Sequence, residues 1–214
     1  AMAKRLPQAM QYQAKHEWSQ DQLWHGQPRP RQVADATVVV VGMGSIGREF
    51  TVRAKALGMK VLVVRENAGK GAEGADAVYS SQQIEEALPQ ADYLLLCTPV
   101  TPQTTGLINA ERLRRMKPDA YLINVGRGPL IDEPALLDAL SKRTIAGAAL
   151  DVFNQEPLPA DSPFWSLDNL LITPHTAAVT DRLWERHYQL IAENLERFLA
   201  GKPLLNEVDK HRGY

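Results

Sequence analysis

The feature that most constrains the fold is a run of four valines, residues 38–41, followed by three closely spaced glycines. Consecutive β-branched residues predict a strand that is buried on both faces. The glycines, Gly42, Gly44 and Gly47, match the pattern Gly-x-Gly-x-x-Gly, and residues 48–57 after them predict a helix. In that setting the first glycine permits a tight turn, the second lets a pyrophosphate approach the backbone, and the third lets the helix pack close to the strand.

The residues just before this helix complete a predicted phosphate site. Ser45 and Ile46 lie between the second and third glycines, next to the helix N-terminus, whose free N–H groups face an anion. The same glycine spacing also occurs in ordinary βα turns, which is the alternative interpretation. A strand directly before the glycines and a helix directly after them favour a dinucleotide site.

Composition bears on the class of partner. The 214 residues are 44% hydrophobic and 23% charged, which is ordinary for a globular protein of one large or two small domains. The net charge of −1 favours neither nucleic acid nor an anionic membrane as a partner. No apolar run approaches the ~20 residues that span a bilayer. We therefore expect no nucleic-acid partner and no membrane partner.

Two further features predict a cytoplasmic protein. Residues 1–5 are not followed by an apolar segment, so we expect no signal peptide. The lone cysteine, Cys97, excludes an internal disulfide framework and is compatible with a reducing compartment. Because Cys97 lies in an apolar run, we interpret it as a small core residue rather than a nucleophile.

From residue 35 onward, strand patterns alternate with helix patterns. The predicted strands are 35–41, 60–64, 77–79, 93–97, 120–125, 145–150 and 170–172, and the predicted helices after the first are 81–88, 109–116, 133–141 and 181–199. Repeated βα units build a parallel sheet with right-handed crossovers and helices on both faces. The sequence thus predicts an α/β fold, a Rossmann-type doubly wound parallel sheet of about seven strands, whose ligands bind at the carboxyl ends of the strands.

The N-terminal segment stands apart from this pattern. Residues 4–24 predict a helix, and the Pro- and Gly-containing stretch 26–31 predicts a linker. Such a helix packs on its own sheet, on another domain or on a second subunit, and the sequence leaves these alternatives open. The predicted organisation is an N-terminal helix and linker over 1–30, a dinucleotide-binding domain over 31–200, and a C-terminal tail over 201–214.

An arginine follows the second predicted strand, where NAD-binding chains of this type place an acidic residue. Arg65 lies eighteen residues past Gly47. An arginine cannot accept hydrogen bonds from ribose hydroxyls, but it can pair with the 2′-phosphate of NADP, with Lys70 as an assisting cation. The neighbouring Glu66 can bind the ribose instead. We therefore predict NADP as the favoured cofactor, with NAD or dual use as the alternative.

The ends of the fourth and fifth strands carry further candidates. Thr98 offers a hydroxyl either to a cofactor or to its own loop backbone. After the fifth strand, Val125 leads into Gly126-Arg127-Gly128, which places an arginine between two glycines. The fixed fork of a guanidinium suits a carboxylate, so Arg127 is a candidate anion-binding residue, with a surface salt bridge as the alternative.

Ionisable residues follow the sixth and seventh strands as well. Asp151 and Glu156 come after the sixth strand, and His175 follows the seventh through a proline. Histidine titrates near ~6.5 and is the natural proton donor at neutral pH, and a carboxylate beside it orients the ring. Arg127, Glu156 and His175 therefore form a candidate catalytic group. We predict no metal site.

At this point the chain resembles a known family, the D-isomer-specific 2-hydroxyacid dehydrogenases. Five segments in the family's order carry the resemblance: GMGSIG at 42–47, LCTPVTPQT at 96–104, INVGRG at 123–128, AALDVF and EPLP within 148–159, and NLLITPH at 169–175. The resemblance covers nearly the whole chain.

The resemblance implies hydride transfer between NAD(P)H and a small 2-keto acid such as glyoxylate or hydroxypyruvate. It implies that Arg127 binds the substrate carboxylate and polarises the keto oxygen, that His175 protonates this oxygen, and that Glu156 holds His175. It assigns Asp151 to the nicotinamide carboxamide, and we also expect Val125 and His175 to lie beside the cofactor. Formate-oxidising relatives carry glutamine in place of Glu156, which argues against formate as the substrate.

The resemblance also concerns parts beyond the sheet. Members of the family have a substrate domain before the helix at 4–24, and the tail at 201–214 would complete it, so we expect that domain to be largely absent here. Without it the catalytic residues would face water, and we expect this chain to bind cofactor but to turn over weakly or not at all. Family dimers form through the cofactor domain, so we expect a homodimer with Trp18 and Trp24 contributing.

Two other functions compete with the enzyme. One is a non-catalytic NAD(P)-binding and dimerisation module, as in the corepressor relatives of the family, which can retain all three catalytic residues. The other is a dehydrogenase of L-hydroxy acids. The position of His175 after the seventh strand, rather than earlier in the chain, argues against the second.

Overall fold

A computed structural model of the protein describes residues 1–210. Its contacts divide the chain into two compact units, Ala1–Pro174 and His175–Tyr214. The first unit contains the sheet and most of the helices, and the second contains one long helix and the described part of the tail. The predicted three-part organisation stays a prediction, and residues 211–214 of the predicted tail lie outside the described residues.

Seven strands form one sheet within the described residues, and every neighbouring pair is parallel. They are β1 (Thr37–Val41), β2 (Lys60–Arg65), β3 (Ala77–Ser80), β4 (Tyr93–Leu96), β5 (Tyr121–Asn124), β6 (Gly147–Leu150) and β7 (Leu170–Ile172). Their order is β3-β2-β1-β4-β5-β6-β7. The predicted α/β fold with about seven parallel strands is confirmed.

The helices lie before, between and after the strands. They are α1 (Leu6–Ala14), α2 (Gln20–His25), α3 (Ser45–Ala56), α4 (Ile84–Ala87), α5 (Ala110–Arg115), α6 (Glu133–Ser141) and α7 (Leu183–Leu199). Short 3₁₀ turns cover Met2–Lys4, Ala68–Lys70, Ser81–Gln83, Leu88–Gln90, Gly128–Leu130 and Pro163–Ser166. The helix after the glycine pattern therefore begins at Ser45, three residues before the predicted start.

The core lies on both faces of the sheet. In β1, Val39 and Val41 face one cluster, which also contains Leu62 and Leu94, while Val38 and Val40 face the other. All four valines are 5% exposed or less. This confirms the prediction of a strand buried on both faces, and it explains why the run has no polar residue.

The order of the strands places a crevice beside β1. The chain runs outward from β1 through β2 to β3, and then returns to β4 on the other side of β1. Connections that leave β1 and β4 therefore diverge to opposite faces of the sheet. Ligands of open parallel sheets bind at such a switch point, outside the carboxyl ends of the strands.

The N-terminal segment is not one helix over 4–24, and in this respect the prediction is wrong. It forms α1 and α2, and His16 between them adopts a left-handed backbone with φ of 58° that cannot continue a right-handed helix. Met2 is buried in the core cluster that contains Val38 and Val40, so the segment packs on its own sheet. No residue within α1 or α2 is buried, which leaves both helices at the surface.

The second unit is built on α7. The helix carries an apolar stripe at intervals of three and four residues, made of Trp184, Tyr188, Ile191, Leu195 and Phe198, and each of these side chains is more than half exposed. The tail turns back on the helix, since the Asn194 side chain accepts from the Leu205 N–H at 2.7 Å and donates to the Leu205 carbonyl at 3.1 Å. Across the described residues, every helix is too short or too polar to cross a membrane.

Candidate active site

The turn after β1 requires glycine. Gly42 has φ of 102°, a conformation that side chains disfavour. A Cβ added there would lie 2.8 Å from the Cys97 carbonyl oxygen and 2.9 Å from the Thr98 nitrogen. Gly42 therefore brings the carboxyl ends of β1 and β4 together at the switch point.

Open space lies in front of the N-terminus of α3. Gly44 is the N-cap of this helix, and a Cβ added there would meet no heavy atom within 4 Å. Ser45 and Ile46 in the first turn are exposed, and N–H groups in a first turn have no intrahelical acceptor. Exposed N–H groups and space that a side chain would fill suit the pyrophosphate of a dinucleotide, so the residues fit such a cofactor.

Gly47 lets α3 pack against the turn. It is buried, and an added Cβ would lie 2.2 Å from the Gly42 carbonyl oxygen and 3.4 Å from Cys97 Sγ. Gly42 and Gly47 thus have the backbone roles predicted for them, and the approach of a pyrophosphate to Gly44 stays a prediction. At Gly42 and Gly47 a side chain would overlap other protein atoms, and at Gly44 the absence of a side chain leaves the space before α3 open.

Cys97 is partly buried and packs against the core cluster that contains Val38 and Val40, in agreement with the prediction of a small core residue. Its Sγ lies 3.2 Å from the Gly42 carbonyl oxygen and 3.4 Å from the Val41 carbonyl oxygen. Burial raises the pKa of the thiol to about 12, so the thiolate that a nucleophile needs does not form near neutral pH.

At the end of β2, two arginines share one carboxylate. The Arg65 side chain is only 9% exposed, and its Nη1 donates to Glu73 Oε1 at 2.7 Å and to the Gly71 carbonyl at 3.3 Å. Arg48, in the first turns of α3, donates through Nε to the other oxygen of Glu73. Arg65, and after it Arg48, holds the pKa of Glu73 below its ordinary value by hydrogen bonding to the charged carboxylate.

Arg65 was predicted from the sequence, but Glu73, which it binds, and Arg48, which binds the same carboxylate, were not. Glu73 lies in a loop without periodic pattern, 25 residues from Arg48, so no local signal links the two. Arg48 does have one signal, because it directly follows the last glycine of the motif. Lys70, the predicted assisting cation, lies exposed in a 3₁₀ turn after β2. Glu66 beside Arg65 is exposed as well.

The loop after β4 is held by its own threonines. Thr104 Oγ1 accepts from the Thr101 N–H at 2.7 Å and donates to the Pro99 carbonyl at 2.8 Å. Thr98 is partly buried at the start of this loop. Its carbonyl oxygen would lie 3.0 Å from a Cβ added at Gly126, so the loops after β4 and β5 are in contact.

A buried asparagine shapes the loop that carries Arg127. Asn124, the last residue of β5, is fully buried. Its Nδ2 donates to the Arg127 carbonyl at 2.9 Å, and its Oδ1 accepts from the Gly126 N–H at 3.0 Å. Asn124 was not predicted as a site residue, although a polar residue at the end of an apolar strand indicates a position of this kind. Val125 between these groups is partly buried and donates its N–H to the Leu96 carbonyl.

The Arg127 side chain is exposed at the carboxyl edge of the sheet. Its Nη1 donates to the Gly126 carbonyl at 2.7 Å, and within residues 1–174 the guanidinium forms no ion pair with a carboxylate. The alternative of a surface salt bridge therefore finds no support in this part of the chain. A guanidinium held only by backbone can present its remaining N–H groups to an anion.

The Arg127 loop lies against the loop after β6. A Cβ added at Gly128 would lie 2.0 Å from the Phe153 carbonyl carbon and 2.3 Å from the Asn154 nitrogen. In the same loop, Glu156 Oε1 accepts from the Phe153 N–H at 2.9 Å. The structure therefore brings the loops of Arg127 and Glu156 together.

Asp151 and His175 complete the predicted set. Asp151 is buried at the end of β6, and its Oδ1 accepts from Thr173 Oγ1 at 2.6 Å. Thr173 was missed by sequence analysis because a hydroxyl on an adjacent strand end has no distinguishing spacing. His175 is the first residue of the second unit, is exposed, and has a left-handed backbone with φ of 53°.

Across residues 1–210, the His, Cys, Asp and Glu side chains form no group of three that could hold a metal ion. The predicted site residues at the strand ends are hydrogen-bond donors and acceptors, and they include the guanidinium groups of Arg65 and Arg127. The roles that sequence analysis assigned to them remain predictions.

Comparison with known proteins agrees with this arrangement. A match to the family described as D-isomer specific 2-hydroxyacid dehydrogenase, NAD binding domain, covers residues 1–177. A glyoxylate reductase of Korarchaeum cryptofilum is 36% identical over 214 residues, which cover 98% of this chain and 63% of that protein. The curated relatives that it matches are longer, and the chain spans between 39% and 63% of the length of eight of them.

Solved structures show the same likeness. A D-isomer specific 2-hydroxyacid dehydrogenase from Xanthobacter autotrophicus Py2, in complex with NADPH and MES, has a TM-score of 0.85 and 36% identity, covering 99% of this chain and 84% of that one. An NADPH-dependent glyoxylate/hydroxypyruvate reductase from Sinorhizobium meliloti, in complex with NADP and sulfate, has a TM-score of 0.84 and 30% identity, covering 100% and 69%. The chain therefore belongs to the D-isomer specific 2-hydroxyacid dehydrogenase family, and residues 1–177 are its NAD-binding domain.

Proposed function

We propose that this chain is the cofactor-binding and catalytic half of a cytoplasmic 2-keto acid reductase that favours NADP over NAD. One observation carries the proposal: the open N-terminus of α3 and the exposed Arg127 lie at the carboxyl edge of the same parallel sheet. The first suits a pyrophosphate, and the second suits the carboxylate of a keto acid. Glyoxylate and hydroxypyruvate are the proposed substrates, supported by the names of the relatives from Korarchaeum and Sinorhizobium.

The proposed mechanism assigns one task to each residue. The nicotinamide cofactor, when bound, supplies the hydride. Arg127 binds the substrate carboxylate and polarises the keto oxygen, and His175 donates the proton that this oxygen takes up. Glu156 orients His175, and the buried Asp151 positions the carboxamide of the nicotinamide ring. Glu156 in place of glutamine makes formate an unsuitable substrate.

We further propose that this chain alone turns over weakly. Arg127 and Glu156 are both exposed within the first unit, and charges in water stabilise a transition state far less than charges in a dry cleft. Residues 201–214 would complete the substrate domain of the family. The competing proposal is a binding module without catalysis.

Turnover is tested with purified protein of verified mass, NADPH, and glyoxylate or hydroxypyruvate, by following absorbance of the reduced cofactor. We expect slow but measurable reduction that is lost in His175→Asn, since the proton donor is removed while the cofactor contacts in the first unit remain. Fast turnover would contradict the proposed weakness. Saturable cofactor binding with no reduction in wild type would favour the binding module.

Arg65→Ala is expected to weaken NADPH binding by about tenfold or more while leaving NADH binding little changed. A guanidinium bonded to phosphate is worth roughly 1.5–3 kcal/mol, and NADH lacks the 2′-phosphate. The measurement is a fluorescence titration of each reduced cofactor. The control is Arg53→Ala, which removes an exposed arginine of α3 that pairs with Glu49. An equal preference for the two cofactors in wild type would refute the assignment of Arg65.

A homodimer through the N-terminal helices is the proposed assembly. An open groove of about 960 Å³ on this segment is lined by residues that include Trp18, Leu23 and Trp24, and the two tryptophans are 90% and 61% exposed. Aromatic side chains of this kind are enriched at interfaces. A second copy of the chain is the proposed occupant, which agrees with the surface position of α1 and α2.

Replacing Trp18 and Trp24 together by Gln is expected to shift the protein from dimer to monomer, because most of the apolar contact area of the groove is lost. Size-exclusion chromatography with light scattering measures the mass directly. Trp165→Gln is the matched control, since Trp165 is 53% exposed but lies in a different segment. A wild-type protein that is monomeric at high concentration would contradict the proposed dimer.

A further inference from the structure

Arg65, which the proposed function assigns to the 2′-phosphate of NADP, forms a cluster with Arg48 and Glu73, two residues that have no role in the proposed function. Its members come from the end of β2, the beginning of α3 and the loop 71–74 before β3. In a dinucleotide-binding βαβ unit, the end of the second strand lies beside the adenosine ribose. The cluster therefore sits where NAD and NADP differ chemically.

The Glu73 carboxylate occupies both arginines at once. One oxygen accepts from Arg65 Nη1 at 2.7 Å, and the other accepts from Arg48 Nε. A phosphate presents oxygens to guanidinium groups in the same way as a carboxylate. Because the Arg65 side chain is 9% exposed, it has little freedom to serve a second anion while Glu73 stays bound.

The backbone that carries Glu73 is held in an unfavourable conformation. Glu73 has φ of 46°, the left-handed region that side chains disfavour, and it lies between Gly71 at 83° and Gly74 at 91°. A Cβ added at Gly71 would meet no heavy atom within 4 Å, so the loop is not packed there. Such a conformation persists when other contacts hold it, and here the two arginines bind the side chain.

We infer that Glu73 is a specificity-determining residue that competes with the 2′-phosphate of NADP for Arg65 and Arg48. The inference rests on the proposed function, because it concerns the same cofactor site. NADP must displace the carboxylate to reach the arginines, whereas NAD, which has a single hydroxyl in place of that phosphate, binds without displacing it. Glu73 thus lowers the preference for NADP that the two arginines alone would produce.

The test uses cofactor fragments, so that it does not depend on catalysis. The full chain is titrated calorimetrically at low salt with 2′,5′-ADP, which carries the phosphate, and with 5′-AMP, which does not. Glu73→Gln keeps the size of the side chain and removes its charge. We expect it to bind 2′,5′-ADP about fivefold more tightly than wild type, with 5′-AMP affinity unchanged, since the exchange of one partly buried ion pair is worth at least about that factor.

Two further variants test whether the effect depends on the position of the carboxylate and on its reach. Glu49→Gln removes an exposed carboxylate on α3 that pairs with Arg53. This variant is expected to change the affinity for neither 2′,5′-ADP nor 5′-AMP. Glu73→Asp keeps the charge but has shorter reach, and is expected to bind 2′,5′-ADP with an affinity between wild type and Glu73→Gln. Thermal unfolding of each variant shows whether it folds. If Glu73→Gln does not fold, the affinity of Glu73→Asp for 2′,5′-ADP tests the inference in its place.

The outcomes distinguish this inference from the proposed function. If wild type binds both fragments and Glu73→Gln binds 2′,5′-ADP equally or less tightly, the inference is overturned, because Glu73 would then be neutral or would hold Arg65 in place for the phosphate. If wild type binds neither fragment and neither reduced cofactor, the proposed function itself fails. A selective gain for 2′,5′-ADP in Glu73→Gln supports both.

Discussion

Gly44→Ala is expected to leave the fold intact and to weaken NADPH and NADH binding by about tenfold to a hundredfold. The added methyl enters open space, where it meets no protein atom within 4 Å, and Ala at an N-cap costs no more than about 1 kcal/mol. The same methyl would overlap a pyrophosphate at the N-terminus of α3, and overpacking of this kind costs about 1–3 kcal/mol.

Gly47→Ala is the matched variant, and it should differ from Gly44→Ala in stability. Its methyl would lie 2.2 Å from the Gly42 carbonyl oxygen. The helix must then move away from the turn, so we expect the free energy of unfolding to fall by about 1–3 kcal/mol. Urea unfolding gives the stability of both variants, and fluorescence titration gives the affinity. If Gly44→Ala binds cofactor as wild type does, the space before α3 is not the pyrophosphate site.

Gly128→Ala is expected to lower the free energy of unfolding by about 3 kcal/mol and to disturb the Arg127 loop. The methyl would lie between 2.0 and 2.3 Å from the backbone of Phe153 and Asn154. Backbone cannot rotate out of the way as a flexible side chain can, so the loops after β5 and β6 must separate. The hydrogen bond from the Phe153 N–H to Glu156 lies in the loop that is displaced. The loop of Arg127 and the loop of Glu156 are therefore both affected.

The measurement is again urea unfolding, combined with binding of a substrate-like anion such as oxalate in the presence of NADPH. For the unfolding measurement Gly44→Ala is the control, because it makes the same chemical change at a position with free space and a φ of −79°. A Gly128→Ala protein as stable as wild type would show that the two loops do not need their close contact. Loss of stability without loss of anion binding would argue against Arg127 as the carboxylate-binding residue.

The strands and the glycine turn were predictable because their signals are local. A strand with one face in water alternates apolar and polar residues, so four valines in succession predict burial on both faces. The structure shows this burial. The φ of 102° at Gly42 and the close approach of Gly47 to the Gly42 carbonyl are set within the strand–turn–helix unit, whereas the contact of Gly42 with Cys97 and Thr98 is tertiary. The family followed from the motifs at successive strand ends, and the match over residues 1–177 confirms it.

The N-terminal helix was predicted less well for a physical reason. Apolar residues recur at helical spacing from Leu6 to Trp18, and that pattern continues through the break. The left-handed backbone at His16 interrupts the helix, and the burial of Met2 against the sheet ties the segment down. Contacts with strands that lie far along the chain have no periodic signal near residue 16.

From the sequence alone come the parallel α/β sheet, the phosphate turn, the identity of Arg65, Arg127, Glu156 and His175 as candidates, and the family. Each depends on residue type and near spacing, which a single segment contains. Only the tertiary structure decided what those side chains contact. It placed Asn124 under the Arg127 loop and Glu73 between two arginines, because segments distant in the chain meet at the carboxyl edge of the sheet.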